Sequence, residues 1–461
     1  MQITSISFLL FTGLIWVVAL AMKTTRSRQA LLLVASYLFY ASWGVHFVAV
    51  LIMSTLGNYF LGILLSKRRN SSTLWWGVGF NLLILLVFKY IPDRHAGSFF
   101  MPIGVSFWTF QAISYLIDIY RDEEIEASLL EFSLYLAFWP TILSGPVNRA
   151  AEMITQFRNT KKISYEDVSY GTKRIVMGLF MKLVLSNLIA EGFNAGEGLN
   201  TGFDQMAMGW SAIDVWFLAI GFGFQLFFDF AGYSHIVIGI ARMFGFTMRE
   251  NFDKPYLSTS PSIFWTRWHM SLSFWIRDYV FLTLATFIRV PWWRFAALFL
   301  SMVIFGLWHG ATLPFLIWGC YQGSLLVIHR VSQKNLGKIT DRLPIIPGKV
   351  LSWAVTFMLI SIGWIFFRCH SISEAFLMIG TIANSSNYHQ LVLRPNYYIV
   401  TSAIIIGYFI YAGIKELAEK IEKPGWLRKA PWILSPIGYS IIILLSIIWS
   451  TQEQGFLYFS F

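Results

Sequence analysis

Cysteine, charge and the signatures of soluble catalysis are all scarce in this chain. Of 461 residues only Cys320 and Cys369 are cysteines. Both sit in apolar surroundings, so neither a disulfide framework nor a cysteine zinc site can be built from them. Charged residues make up only 13% of the chain, against about a quarter in a soluble domain. No G-x-S-x-G elbow, phosphate-binding G-x-x-x-x-G-K-[ST] loop or H-E-x-x-H pair occurs, and none of the eight histidines is followed five residues later by Asp. These absences argue against nucleophilic serine chemistry and nucleotide hydrolysis. They leave no metal site to expect.

What is present is apolar: 56% of residues are hydrophobic and 18% aromatic. An all-α polytopic membrane protein follows. Uncharged runs cover Met1 to Met22, Gln29 to Ser66, Asn70 to Phe88, His95 to Ile117, Phe132 to Asn148, Phe295 to His329, Val350 to Phe367, Pro395 to Ile414 and Ala430 to Gln452. A span needs about 20 apolar residues, so the two longest runs hold two helices each. Ile175 to Ala190 and Gly209 to Ile240, interrupted by isolated charges, bring the total to roughly a dozen. Met1 to Met22 lacks a basic start and a small-residue cleavage site and reads as a retained first span.

The net charge of +11 is the basic excess of cytoplasmic loops, not a nucleic-acid footprint, because no basic stripe with interleaved aromatics lies outside the membrane segments. Clusters such as Lys67, Arg68 and Arg69 mark the inner side, and the acidic loop Glu191 to Gln205 the outer side. The N-terminus and the C-terminal tail are both then expected outside. Pro140, Gly145 and Pro146 interrupt "FSLYLAFWPTILSGPVN", which reads as a re-entrant or broken element buried in protein. Lys254 to Arg294 is too charged for a span and too aromatic for a solvated loop, and belongs at the inner interface.

Ionisable groups within membrane segments are the functional candidates. In "FGLWHGATLPF", His309 lies between Trp308 and Gly310. It is either a structural histidine bonded to a neighbouring carbonyl or a group that moves a proton at neutral pH. In "FWTRWHMSLSFWIRDY", a continuous helix would place His269, Ser273 and Ile276 on one face and Arg267 and Ser271 on another. An amphipathic interfacial helix explains the same pattern. In "FGFQLFFDFAGYSHIVIGIARMFGF", Asp229 and His235 are buried with Gln225 one turn earlier. Asp229 is either structural or part of the site. Asp118 and Lys182 take structural assignments. Substrate-binding candidates are Trp308, Gly310, Gln225, Asp229, Ser273 and Arg277.

The segments "MPIGVSFWTFQAISYLIDIYR", "FWPTILSGPVNRAAEMITQF", "FQLFFDFAGYSHIVIGIARMFGF", "NFDKPYLSTSPSIFWTRWHMSLSFWIRDYVF" and "GLWHGATLPFLIWG" resemble, in order, the bacterial branch of the membrane-bound O-acyltransferase (MBOAT) family. Within it they are most similar to the proteins of alginate, peptidoglycan and other polysaccharide O-acetylation. The resemblance implies a ring of tilted helices, about 11–12 in all, around a central funnel. An acyl donor would approach from the cytoplasm and an acceptor from outside. It places the family's histidine on His309 and the upstream motif histidine on His269. It also implies acetyl-CoA or an acyl carrier protein as donor, a polysaccharide acceptor and an extracytoplasmic SGNH/GDSL-like acetyltransferase partner in the bacterial inner membrane. Two departures stand out: His235 replaces an Asp usual in the family, and "VFLTLATFIRVPWW" replaces a Gly-rich basic stretch.

A membrane core over residues 1–429 is followed by a final span and an aromatic tail over 430–461. The tail, "EQGFLYFSF", carries four aromatics in its last six residues. In the D-alanylation branch of the family a separate one-helix protein ends in such a motif, which the resemblance sets on Tyr458. A phenol of pKa near 10 is a better leaving group than an alkyl alcohol and suits an acyl relay. An interfacial belt of aromatics anchoring the last span is the alternative. The expected function is O-acetylation of an envelope polysaccharide. D-alanyl or longer-acyl transfer is the alternative within the family. Transport is disfavoured by the lack of visible repeats.

Overall fold

A computed structural model describes residues 1–90, 102–159, 161–191, 199–204, 209–340, 344–420 and 431–449. Among these residues the chain is helical without a strand, and it divides into two compact units.

The first unit, Met1–Ile175 with Ser234–Glu250, contains α1 Ile6–Ala21, α2 Thr25–Ala41, α3 Val45–Lys67, α4 Ser71–Leu85, α5 Val105–Tyr120, α6 Leu129–Ala137, α7 Ala150–Arg158 and most of α8 Tyr165–Leu179. Where no water is at hand, its helices are joined by polar contacts. Asn58 of α3 and Asn81 of α4, both fully buried, donate amide hydrogen bonds to each other at 3.1 and 2.6 Å. The Trp16 indole donates to the Met243 carbonyl at 2.8 Å, and Gln29 donates to the Phe157 carbonyl at 3.0 Å.

The broken element takes the expected form. Helix α6 stops at Ala137, turns follow, and Phe132 to Asn148 are buried throughout. Its irregular backbone is satisfied from within the protein: the Trp139 amide donates to Ser36 Oγ at 3.2 Å, and Tyr135 OH donates to the Asn148 carbonyl at 2.9 Å. Gly104, at φ +80°, approaches so closely that a Cβ there would lie 2.1 Å from the Ile142 carbonyl oxygen.

The second unit, Val176–Tyr233 with Asn251–Phe461, begins where α8 passes into π-helical Phe180–Ser186. It continues with α9 Asn187–Glu191, α10 Leu199–Asp204 and α11 Ala212–Met243, whose residues to Tyr233 belong here. Then come α12 Pro261–Arg267, α13 Met270–Trp275, π-helical Ile276–Phe281, α14 Leu282–Ala285, α15 Trp293–His309, α16 Leu313–Thr340, α17 Ile345–Arg368, α18 Ile372–Ala383, α19 Pro395–Lys420 and α20 Pro431–Trp449. Fully buried Asp214, at the start of α11, accepts from the amides of Ser211 (2.8 Å) and Val392 (3.2 Å) and from Tyr398 OH. It thereby ties α11 to the loop before α19.

Five of the described helices are long and apolar enough to cross a bilayer: Val45–Lys67, Ser71–Tyr90, Ala212–Met243, Ile346–Arg368 and Pro395–Leu417. Ile6–Ala21, Trp293–His309, Ile372–Ala383 and Gly438–Ile448 are apolar but shorter. The chain is thus an all-α, multi-pass membrane protein. Each of the two longest uncharged runs holds two helices as expected, α2 with α3 and α15 with α16. The final span holds α20, whereas Tyr458 and the aromatic tail lie outside the described residues.

Helix α6 opens with a capping box, in which Ser128 Oγ accepts from the Glu131 amide while the Glu131 carboxylate accepts from the Ser128 amide. Arg158 of α7 pairs with that carboxylate at 2.7 Å. The Arg158 hydrogen bonds, aided by Ser128, pull the Glu131 pKa down to about 2. A carboxylate with a lowered pKa stabilises the fold above its ordinary pKa and loses that contribution as pH falls through the lowered value. Glu131→Gln is therefore expected to cost roughly 1–2 kcal/mol at pH 7. In thermal unfolding in detergent, its deficit against wild type should shrink as pH falls from 4.5 towards about 2.

Candidate active site

Glycine determines where His309 sits. Helices α15 and α16 form a hairpin closed by Gly306 and Gly319. A Cβ on Gly306 would lie 2.4 Å from the Phe315 carbonyl oxygen, and one on Gly319 would lie 2.6 Å from that of Met302. Only bare backbone permits this approach. His309, the last residue of α15 and 5% exposed, is pressed against α16 as a result.

The imidazole is enclosed by rings. Centroid distances from His309 are 4.9 Å to Phe305, 4.7 Å to Trp308, 6.1 Å to Phe315, 5.3 Å to Trp318 and 4.8 Å to Phe367. These side chains come from α15, α16 and α17. They leave the imidazole almost wholly buried in apolar surroundings. Gly310 serves this enclosure directly, since a Cβ there would meet the Phe315 ring at 2.6 Å.

His269 occupies a different local structure from the continuous helix considered for its segment. Helix α12 ends at Arg267, and His269 stands at φ +42°, ψ +53° as the N-cap of α13. The left-handed conformation is uncommon for a residue with a side chain and is held by its surroundings. Asn251 supplies the hold. Its carbonyl accepts from the Met270 amide at 2.8 Å, and its side chain accepts from Ser271 Oγ at 2.6 Å. The His269 ring, 1% exposed, stands edge-on to Phe230 at 4.5 Å. This segment is not among the helices long and apolar enough to cross a bilayer, and burial lowers the pKa of His269. Rings connect the two histidines in succession: Phe230, Phe252, Trp268, Trp364 and Phe367 each contact the next at 4.9 to 5.9 Å.

Asp229 and Gln225 are brought to a third place. Asp229 forms a buried ion pair with Lys182 of the π-helical turn, and Ser186 Oγ donates to the Gln225 carbonyl at 3.3 Å. Ser273 Oγ donates to the Trp268 carbonyl at 2.9 Å. Arg277 is exposed, lies over Phe274 at 4.8 Å and pairs with Asp278 at 2.7 Å. The residues that sequence reasoning missed are Trp318 and Phe367, which wall His309, and Asn251, which holds His269. The only signal for Asn251 was its place in the motif carrying His269.

The fold and the site define a multi-pass helical membrane protein that buries a histidine among aromatic rings. Comparison with known families makes this specific. Residues 3–372 match the family model of MBOAT, the membrane-bound O-acyltransferase family. A probable alginate O-acetylase of Pseudomonas putida is 37% identical over 77% of this chain and 75% of its own length. A peptidoglycan O-acetyltransferase of Helicobacter pylori is 27% identical over 93% and 91%. A teichoic acid D-alanyltransferase of Streptococcus thermophilus is 27% identical over 76% and 85%. The chain belongs to the membrane-bound O-acyltransferase family and is an O-acyltransferase.

Removing one partner of a buried ion pair takes away the other charge's counter-ion. Lys182→Met is expected to destabilise the protein by about 3–5 kcal/mol. Adding Asp229→Leu to Lys182→Met should restore most of the loss. Unfolding midpoints of the two single variants and the double variant in detergent check this, and additive losses would contradict it.

Proposed function

We propose that this chain moves an acetyl group from a cytoplasmic thioester donor, acetyl-CoA or an acylated carrier protein, across the bacterial inner membrane for O-acetylation of a cell-envelope polysaccharide or exopolysaccharide. The observation that carries the reading is His309 in its enclosure of rings, in a chain similar to proteins named for alginate and peptidoglycan O-acetylation. His309 is the general base: it removes the proton of an attacking hydroxyl in a site closed to water. His269 is the second catalytic histidine. Trp308 and Gly310 border the reacting group, and Gln225, Asp229, Ser273 and Arg277 bind substrate along the approach.

The final helix and its tail, residues 430–461, act as a built-in acceptor arm on the outer side. Tyr458 attacks the acetyl carbonyl as His309 takes its proton, the thiol departs, and the resulting phenyl ester retains enough transfer potential to pass the group outward. An extracytoplasmic SGNH/GDSL-like partner then completes transfer to the polymer. Similarity to a teichoic acid D-alanyltransferase supports D-alanine as the second reading for the group transferred.

The test is mass spectrometry of the C-terminal peptide after incubation of purified protein with acetyl-CoA, for wild type, Tyr458→Phe and His309→Ala. An acetyl adduct on Tyr458 that disappears in both variants is expected. Polymer acetylation in cells that survives Tyr458→Phe would make the tail an anchor, and wild-type activity in His309→Ala would remove that residue as base.

A further inference from the structure

Immediately beyond the enclosure of His309, α16 buries two polar side chains that no other described group satisfies. Trp318 and Gln322 are each 1% exposed. The Trp318 indole N–H and both polar atoms of the Gln322 amide lack a hydrogen-bond partner among the described residues. One turn apart, they share a face of α16. That face meets α17 where the latter is bare, since a Cβ on Gly363 would lie 2.4 Å from Gln322 Nε2. Trp318 contacts His309 at 5.3 Å and Phe367 at 5.1 Å.

Burying an amide and an indole N–H without partners costs stability, and a ligand that supplies an acceptor there recovers that cost. An indole N–H can only donate, so its partner must be an acceptor. Transfer from a thioester requires such donors. When the attacking oxygen bonds to the acyl carbon, the carbonyl electron pair moves to oxygen, which then carries a negative charge. The charge returns to re-form C=O as the C–S bond breaks, and the departing thiolate takes the proton held by the imidazolium.

Resting on the reading of His309 as base, we propose that the Trp318 indole N–H and the Gln322 amide N–H bind the acyl carbonyl oxygen and stabilise that oxyanion. Both stand, 1% exposed, on the helix that carries the wall of the histidine's enclosure. Donors so placed are stronger than in water and need no reorganisation during the reaction.

The test uses full-length protein in lipid nanodiscs with acetyl-CoA as probe, following single-turnover thiol release and thermal unfolding in parallel. The variants are Gln322→Leu, Trp318→Phe and His309→Ala. Gln322→Leu and Trp318→Phe are expected to slow thiol release at saturating donor by ~10²-fold. The half-saturating donor concentration should stay within about twofold, as for an interaction made only in the transition state. The unfolding midpoint of Gln322→Leu should equal or exceed that of wild type, because an unsatisfied amide has been removed. A wild-type rate in Gln322→Leu, or a rate loss that follows a fallen midpoint, overturns the assignment. Loss of rate in these variants with a wild-type rate in His309→Ala would instead remove the base. No thiol release by wild-type protein would overturn the functional reading and this assignment together.

Discussion

The close approach of α15 and α16 is the constraint on which the site depends. Gly306 and Gly319 bring two backbones into contact, with each missing Cβ replaced by a carbonyl oxygen of the opposite helix. Between helices in a bilayer there is no hydrophobic driving force to supply such proximity, and dispersion at short range has to provide it. The hairpin also turns sharply enough for Phe315, early in α16, to reach back over the end of α15. His309 therefore has its environment fixed by main-chain geometry before any long side chain is considered.

A second theme is how the chain handles polarity away from water. Asn58 answers Asn81, Lys182 answers Asp229, and Asp214 gathers three amides and a phenol. These arrangements follow from the cost of leaving a buried polar group unsatisfied. Trp318 and Gln322 are among the buried polar groups not answered in this way, and Trp318 stands beside the histidine.

Much of this was legible in the sequence, and the omissions have physical causes. Long uncharged runs marked the helices because a bilayer imposes length and composition together. Pro140, Gly145 and Pro146 announced the break after α6, since no regular helix accommodates them. His309 was visible as an imidazole in an uncharged run. The break at His269 was not, because Trp, His, Met and Ser carry no signal for a left-handed residue, which here is imposed by Asn251 eighteen positions earlier. The pairing of Lys182 with Asp229 depends on a π-helical turn that no residue in Phe180–Ser186 advertises. Trp318 and Phe367 were hidden among apolar residues, because a ring facing lipid and a ring facing a catalytic group look alike in one dimension.

The relation between Gly310 and Phe315 has a consequence for how this enclosure can change through descent. The ring of Phe315 occupies the volume that any side chain at 310 would need, so position 310 does not vary freely while that ring stays in place. A larger residue at 310 becomes accessible only after Phe315 has been replaced by something smaller, and restoring Phe315 afterwards is then blocked. A lineage that replaces Phe315 first passes through an intermediate with a looser wall around His309. The order of substitutions is thus set by steric exclusion before selection acts on the acyl group transferred.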